Sequence, residues 1–127
     1  TNEDELLVNE VAPRPHNSYH FSIEGSYTSQ FEQFLRTILD LPLGSTKILE
    51  NSVMVNLVGD SDSKGKVAYK NFDQIIGIEV VNPHIYGKFE SKPNRKMGHI
   101  TIINKDLKIA KKIANEVKET VIITSKK

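Results

Sequence analysis

Two short stretches of this sequence hold most of the side chains that could do chemistry. The first is VNEVAPRPHNSYH, residues 8–20, which sets Asn9, Glu10, Arg14, His16, Asn17, Ser18 and His20 around two prolines. A carboxylate at a strand end, followed by a proline-stopped turn, has little freedom. Glu10 therefore suits Mg²⁺, which takes oxygen ligands in near-octahedral positions and often shares carboxylates with phosphates. Asn9 and Asn17 offer neutral ligands or phosphate contacts. Taken alone, Glu10 reads more readily as a surface carboxylate paired with a lysine. Arg14 lies between Pro13 and Pro15. Its planar fork matches carboxylate, bicarbonate or phosphate, and the prolines lower the entropy lost in holding it. It also reads as an arginine packed along an extended turn. His16 and His20 have the separation of a zinc pair, but no third ligand follows by spacing, so hydrogen bonding is the expected role.

The second stretch is YGKFESKPNRKMGH, residues 86–99, where Lys88, Lys92, Arg95 and Lys96 gather around an expected hairpin tip. Such a cluster attracts phosphate, on a small molecule or on a nucleic-acid backbone. A solvated hairpin has the same composition. Only Tyr86 and Phe89 are placed to stack on bases, and the net charge of +1 gives no basic footprint, so nucleic acid is not the expected partner. There is no glycine-rich phosphate loop and no nucleophile elbow.

The elements that must position these groups follow from pattern and punctuation. Residues 6–11 read as a strand stopped by Pro13, and residues 21–24, FSIE, alternate as a half-buried strand. Ser29 to Glu32 has capping-box spacing, and Phe31, Phe34, Leu35 and Ile38 continue at helical spacing, which predicts a helix over 29–40 ended by Pro42 and Gly44. Residues 52–59 predict a strand and 60–66 a polar loop. Residues 67–76 predict a short helix, and 78–81 a strand or an extension of that segment. Residues 84–90 and 98–103 predict a hairpin joined through Pro93-Asn94. Asn104 or Asp106 caps a last helix whose apolar face is Ile109, Ile113 and Val117, with Ala110 and Ala114 alongside, and TVIITSKK returns as a strand.

The expected class is therefore α+β, with a boundary near residue 45: residues 1–44 as the end of one unit and 45–127 as a small second unit with a β-hairpin. The chain has 127 residues, 38% hydrophobic and 26% charged, within the range of a globular domain. With zero cysteines it has neither a disulfide framework nor a thiolate site. No apolar run reaches the length of a membrane span, and the acidic start TNEDE is not a signal peptide. These features fit a cytoplasmic protein without membrane contact. The chain begins at Thr1 and enters an apparent strand within a few residues. It reads as cut from a longer chain, or as one that was trimmed.

Four separated blocks, NEVAPRPHNS (9–18), SQFEQFLR (29–36), LPLGST with VMVNLVG (41–59), and HIYGK followed by RKMGH (84–99), occur in the order and spacing of one family. The chain resembles the C-terminal part of the N5-carboxyaminoimidazole ribonucleotide synthetases, ATP-grasp enzymes of purine synthesis. The resemblance implies the end of an ATP-grasp domain (1–44) and a small C-terminal domain (45–127). It implies a ligase that uses MgATP to turn bicarbonate into carboxyphosphate and carboxylates 5-aminoimidazole ribonucleotide, typically as a homodimer. By position, Asn9 and Glu10 fall at the ATP phosphates, with Glu10 the Mg²⁺ ligand. Arg14 falls where bicarbonate or carboxyphosphate is held, His16, Asn17 and Ser18 border the bicarbonate and ribonucleotide site, and Lys88, Arg95 and Lys96 fall at the ribonucleotide 5′-phosphate. Tyr19 stands where the family usually has glycine, and Lys92 and Asn94 replace an arginine and a glycine of the hairpin. The chain on its own is expected to be catalytically silent. The competing expectations are an ATP-grasp formyltransferase and a non-catalytic phosphate-binding or assembly module.

Overall fold

The computed structural model describes residues 7–126. In chain order its elements are α1 (Ser22–Gly25), α2 (Gln30–Ile38), β1 (Ser52–Val58), β2 (Gly65–Lys70), β3 (Val81–Ile85), β4 (Glu90–Ser91), β5 (Lys96–Ile103), α3 (Leu107–Thr120) and β6 (Ile122–Ser125), with 3-10 turns at Asn17–Tyr19 and Phe72–Gln74. Helices and two antiparallel sheets make this the α+β class expected from the sequence. The sheets have strand orders β1–β5–β3 and β4–β2–β6.

The site is organised by β5, the central strand of the first sheet. Its residues alternate between two faces, as a strand requires. Ile100 and Ile102 lie opposite Val55 and Val53 of β1. They share one buried cluster with Ala110, Ala114 and Val117 of α3, so this is the face that α3 covers. His99 and Thr101 point the other way, opposite Asn56 and Met54 of β1 and His84 and Asn82 of β3. Those two polar residues are as buried as the isoleucines. Burial on both faces requires a second cover, and α1 supplies it by packing on β5. Gly98 lets β3 come close, because a Cβ there would overlap the His84 carbonyl.

Several local expectations hold. Ser29 caps α2 by accepting the Glu32 N–H at 3.2 Å. Asp106 caps α3 through the Lys108 N–H at 2.7 Å, and Asn104 in turn accepts the Asp106 N–H at 2.8 Å. Strands β1 and β6 lie where they were expected. Asn94 takes positive φ, 59°, inside the tight turn that the Arg95 N–H closes onto the Lys92 carbonyl at 3.0 Å.

Other expectations are corrected. Residues 21–24 lie in one helical turn rather than a strand. A four-residue alternation fits both periods, and Ser22 decides it locally by donating to the Tyr19 carbonyl and accepting the Gln30 N–H. Leu6 of the expected first strand lies outside the described residues; residues 7–12 form no strand, since none of the described strands pairs with them. The reciprocal half of the capping box is missing, because the Glu32 carboxylate binds Arg36 instead. Helix α2 ends at Ile38, and just past its cap Asp40 takes φ 52° while the Leu41 N–H reaches the Arg36 carbonyl at 2.8 Å. This is a Schellman-type stop that acts before Pro42.

The expected helix over 67–76 is instead strand β2, paired with β6, followed by a 3-10 turn. Tertiary pairing overrides a weak local pattern there. Pro83 lies within β3, which is tolerated because β3 is an edge strand. The hairpin strands are β3 and β5, and the connection between them detours through β4 into the second sheet. The buried face of α3 is rotated from the expected one: Ala110, Ala114 and Val117 are buried and Ile109 is exposed.

Candidate functional site

The 16–20 segment is shaped by Gln30 at the start of α2. The Gln30 amide accepts the His16 N–H at 2.8 Å, donates to the His16 carbonyl at 2.8 Å, and donates to His20 Nδ1 at 2.7 Å. His16 then caps the 3-10 turn Asn17–Tyr19 from its own ring nitrogen, Nδ1, which accepts the Ser18 N–H at 3.3 Å. Its other nitrogen, Nε2, lies 3.2 Å from Glu10 Oε1. His16, Ser18 and Glu10 are thus one local group, with the Glu10 side chain 62% exposed.

Asn17 connects this segment to the basic hairpin. Its Nδ2 donates to Asn56 Oδ1 of β1 at 2.9 Å. Its Oδ1 accepts from Lys96 Nζ at 2.9 Å, across 79 positions of sequence. Lys88 Nζ reaches the Lys96 carbonyl at 2.6 Å. Asn17, Lys88 and Lys96 are therefore brought together. Arg95 is turned aside, with one guanidinium nitrogen on the Glu90 carbonyl at 2.9 Å. Arg14 donates to the Pro15 carbonyl and lines a cavity of about 430 Å³ with Pro13, Pro15, Tyr19, Phe34 and Ile48. That cavity is lined by neither Asn17 nor Lys96, so the hollow beside this segment and the cation cluster are separate features. Tyr19, out of pattern in the sequence, lines the cavity rather than the cluster.

Three histidines lie beneath the cluster: His20, read from the sequence as a hydrogen-bonding residue, and His84 and His99, which sequence reasoning missed as site residues. The His84 and His99 rings stack with centroids 4.5 Å apart, and His20 lies 5.1 Å from His99. Glu24 Oε1 meets His84 Nε2 at 2.5 Å. The Tyr86 hydroxyl meets His99 Nδ1 at 2.9 Å. Burial, then the neighbouring His84 and His20, pushes the His99 pKa down to about 4, so this ring is neutral at pH 7. Burial also lowers His20, aided by the charge of Lys96. Burial raises the Tyr86 hydroxyl against the opposing effect of a hydrogen bond from Asn17. The signal available in sequence was the alternation of His84 and Tyr86 in HIYGK and the placement of His99 in RKMGHI. Its partner Glu24 was hidden by the mistaken strand. Among the described residues, no three His, Cys, Asp or Glu side chains are grouped to hold a metal, and no helix is long and apolar enough to cross a membrane.

Comparison with known proteins finds matches in sequence and in fold. Residues 52–113 match the phosphoribosylaminoimidazole carboxylase C-terminal domain, and residues 1–31 match the ATP-grasp domain. The N5-carboxyaminoimidazole ribonucleotide synthase of Bacillus subtilis is 48% identical over 103 residues, which are 81% of this chain and 26% of the relative. The crystal structure of N5-carboxyaminoimidazole ribonucleotide synthetase from Thermotoga maritima superposes with TM-score 0.94 at 47% identity, covering 99% of this chain and 35% of that one. The chain belongs to the N5-carboxyaminoimidazole ribonucleotide synthetase family. A further synthase structure of this family, from Aspergillus clavatus in complex with ADP and 5-aminoimidazole ribonucleotide, superposes with TM-score 0.69 at 34% identity over 84% of this chain and 29% of that one. The chain spans about a quarter to a third of the length of these synthetases. Within it, the ATP-grasp match contains the Asn9–Ser18 group, and the carboxylase C-terminal match contains Lys88, Arg95 and Lys96.

Proposed function

We propose that this chain is the C-terminal part of an ATP-dependent ligase that carboxylates 5-aminoimidazole ribonucleotide in purine biosynthesis. A bicarbonate oxygen attacks the γ-phosphorus of ATP, ADP leaves, and carboxyphosphate forms. The exocyclic amine of the ribonucleotide then attacks the carboxyl carbon, or CO₂ released from it, and phosphate and a proton leave. The observation that carries this reading is the contact between Lys96 and Asn17, which joins the ATP-grasp match to the C-terminal match at one polar cluster. In family terms the first side is where phosphoryl transfer occurs and the second is where the ribonucleotide phosphate is held.

The residue roles follow. Asn9 and Glu10 face the ATP phosphates. Arg14 holds bicarbonate or carboxyphosphate through its fork, and its preorganisation between two prolines lowers the entropy of doing so. His16, Asn17 and Ser18 border the bicarbonate and ribonucleotide. Lys88, Lys96 and Arg95 hold the 5′-phosphate, the first two as neighbouring point charges.

Mg²⁺ is tested on the donor set. Glu10 presents an exposed carboxylate and Asn9 an exposed amide, which fits a metal shared with substrate phosphates, the usual arrangement for this ion. When bound, the ion neutralises charge on the transferring phosphoryl group. Glu10 would hold it, with Asn9 beside it, and His16 steadies the carboxylate through its Nε2. The family-model bounds support a first unit over 1–44 and a second over 45–127. A homodimer in the cytoplasm belongs to the same reading.

The test is ATP hydrolysis dependent on both aminoimidazole ribonucleotide and bicarbonate, in a full-length enzyme carrying this sequence. Replacing Glu10 with Gln lowers kcat by about a hundredfold or more, the scale of losing a charge contact to the transferring group. An unchanged rate removes the Mg²⁺ role. The 127-residue chain alone shows no such hydrolysis.

A further inference from the structure

The polar groups beneath the cation cluster form one continuous connection. Glu24 of α1 meets His84 of β3. His84 stacks on His99 of β5 at an interplanar angle of 12°. His99 meets the Tyr86 hydroxyl, and beside it Asn17 donates to Asn56 of β1 and accepts from Lys96. Glu24 and Asn17, the two ends on the N-terminal side, are seven positions apart on one short segment. That segment is therefore fastened to the sheet at two points.

The connection is built at a cost. Glu24 Oε2, His99 Nε2 and Thr101 Oγ1 are buried without hydrogen-bond partners among the described residues. The tautomer explains the histidine: if Tyr86 donates to Nδ1, the proton of neutral His99 is on Nε2, where nothing receives it. A buried donor or carboxylate oxygen left unpaired loses its hydration without replacement, and a close-packed apolar pair in the same space would avoid that. An apolar pair slides; a carboxylate on an imidazole nitrogen fixes one register.

We infer that Glu24 and His84 are a positioning pair, which holds α1 and the turn before it on the sheet so that Asn17 meets Lys96. This rests on the proposed ribonucleotide-phosphate site only for what the cluster binds. The pair touches no substrate; it acts through Asn17.

The experiment uses the 127-residue chain, with NMR observation of the Asn17 side-chain amide and ribose 5-phosphate as probe. In Glu24→Gln, which keeps size and removes charge, the Asn17 amide resonances shift and broaden before any ligand is added. Affinity for the probe then falls about five- to tenfold, the range of coupled neighbours. In an Asn17→Ala background the same change has no further effect on affinity. His84→Gln gives the same pattern and carries the comparison if Glu24→Gln does not fold. Unmoved Asn17 resonances in a folded variant overturn the inference, as do additive losses of affinity; lower thermal stability alone would mean a merely structural pair. If the unmodified chain does not bind ribose 5-phosphate, the phosphate assignment fails, and the ligand-free Asn17 resonances still decide the positioning role.

Discussion

Asn17 uses both ends of its amide on other side chains: the oxygen on Lys96, the nitrogen on Asn56. That makes Lys96 the best-positioned cation of the hairpin, whereas Arg95 has a guanidinium nitrogen on a local carbonyl. The two are thus predicted to differ when changed in a full-length enzyme. Lys96→Ala raises the KM for aminoimidazole ribonucleotide about tenfold or more, and Arg95→Ala raises it about threefold, as steady-state kinetics would show. Equal effects would mean that Arg95 leaves its carbonyl to bind phosphate. At this scale the sequence was informative about residue type and poor on direction. The prolines and the motif single out Asn9, Glu10, His16, Asn17 and Ser18 in the sequence; the structure groups Glu10, His16 and Ser18 and brings Asn17 to Lys96. The aim of Arg14 along an apolar cavity, and the turn of Arg95 away from Lys96, depend on rotamers that no spacing encodes. Gln30 was read as part of a helix start, yet its amide shapes the whole 16–20 turn.

Strand β5 shows why some elements could be read and others could not. Its alternation is plain in KMGHITII, and its pairing with β3 needs Gly98, where a side chain would meet the His84 carbonyl. Gly98→Ala is predicted to destabilise the chain by about 1–3 kcal/mol in chemical denaturation, as overpacking does. It should also disturb the His84–His99 stack, visible in the histidine ring resonances. A wild-type denaturation midpoint in that variant would mean that β3 shifts freely. Helices α2 and α3 were legible because a capping side chain and a sustained period agree in each. FSIE and the 67–76 segment were not. Both are short, and each was decided by something distant in sequence or outside the pattern: Ser22 with its two hydrogen bonds in one case, pairing of β2 with β6 in the other.

For the whole molecule, burial of neutral histidine sets the pH response. The His99 pKa is about 4 in the folded chain, against an ordinary 6.5 when unfolded. The unfolded chain therefore binds the proton more readily between these values, and stability falls as pH drops. The contribution is fully present above about pH 6.5 and declines as pH approaches 4, by about 3 kcal/mol at most for a shift of this size. His20 is lowered in the same direction and adds to the effect. Urea denaturation at a series of pH values checks this, and a His99→Gln chain that still folds should lose most of the slope between pH 6.5 and 4. An identical slope would assign the acid sensitivity elsewhere.

The contacts that fasten the N-terminal segment span 39, 60 and 79 positions. Closing such loops costs chain entropy that a few polar contacts must offset, whereas β5 is anchored by apolar burial and ladders on both sides. The segment is therefore the last part to dock as the chain folds and the first to come loose. A ligand that needs Asn17 and Lys96 together sees only the docked fraction, and its apparent affinity is scaled by that fraction. Any partner surface that seats the segment thereby strengthens binding without touching the ligand.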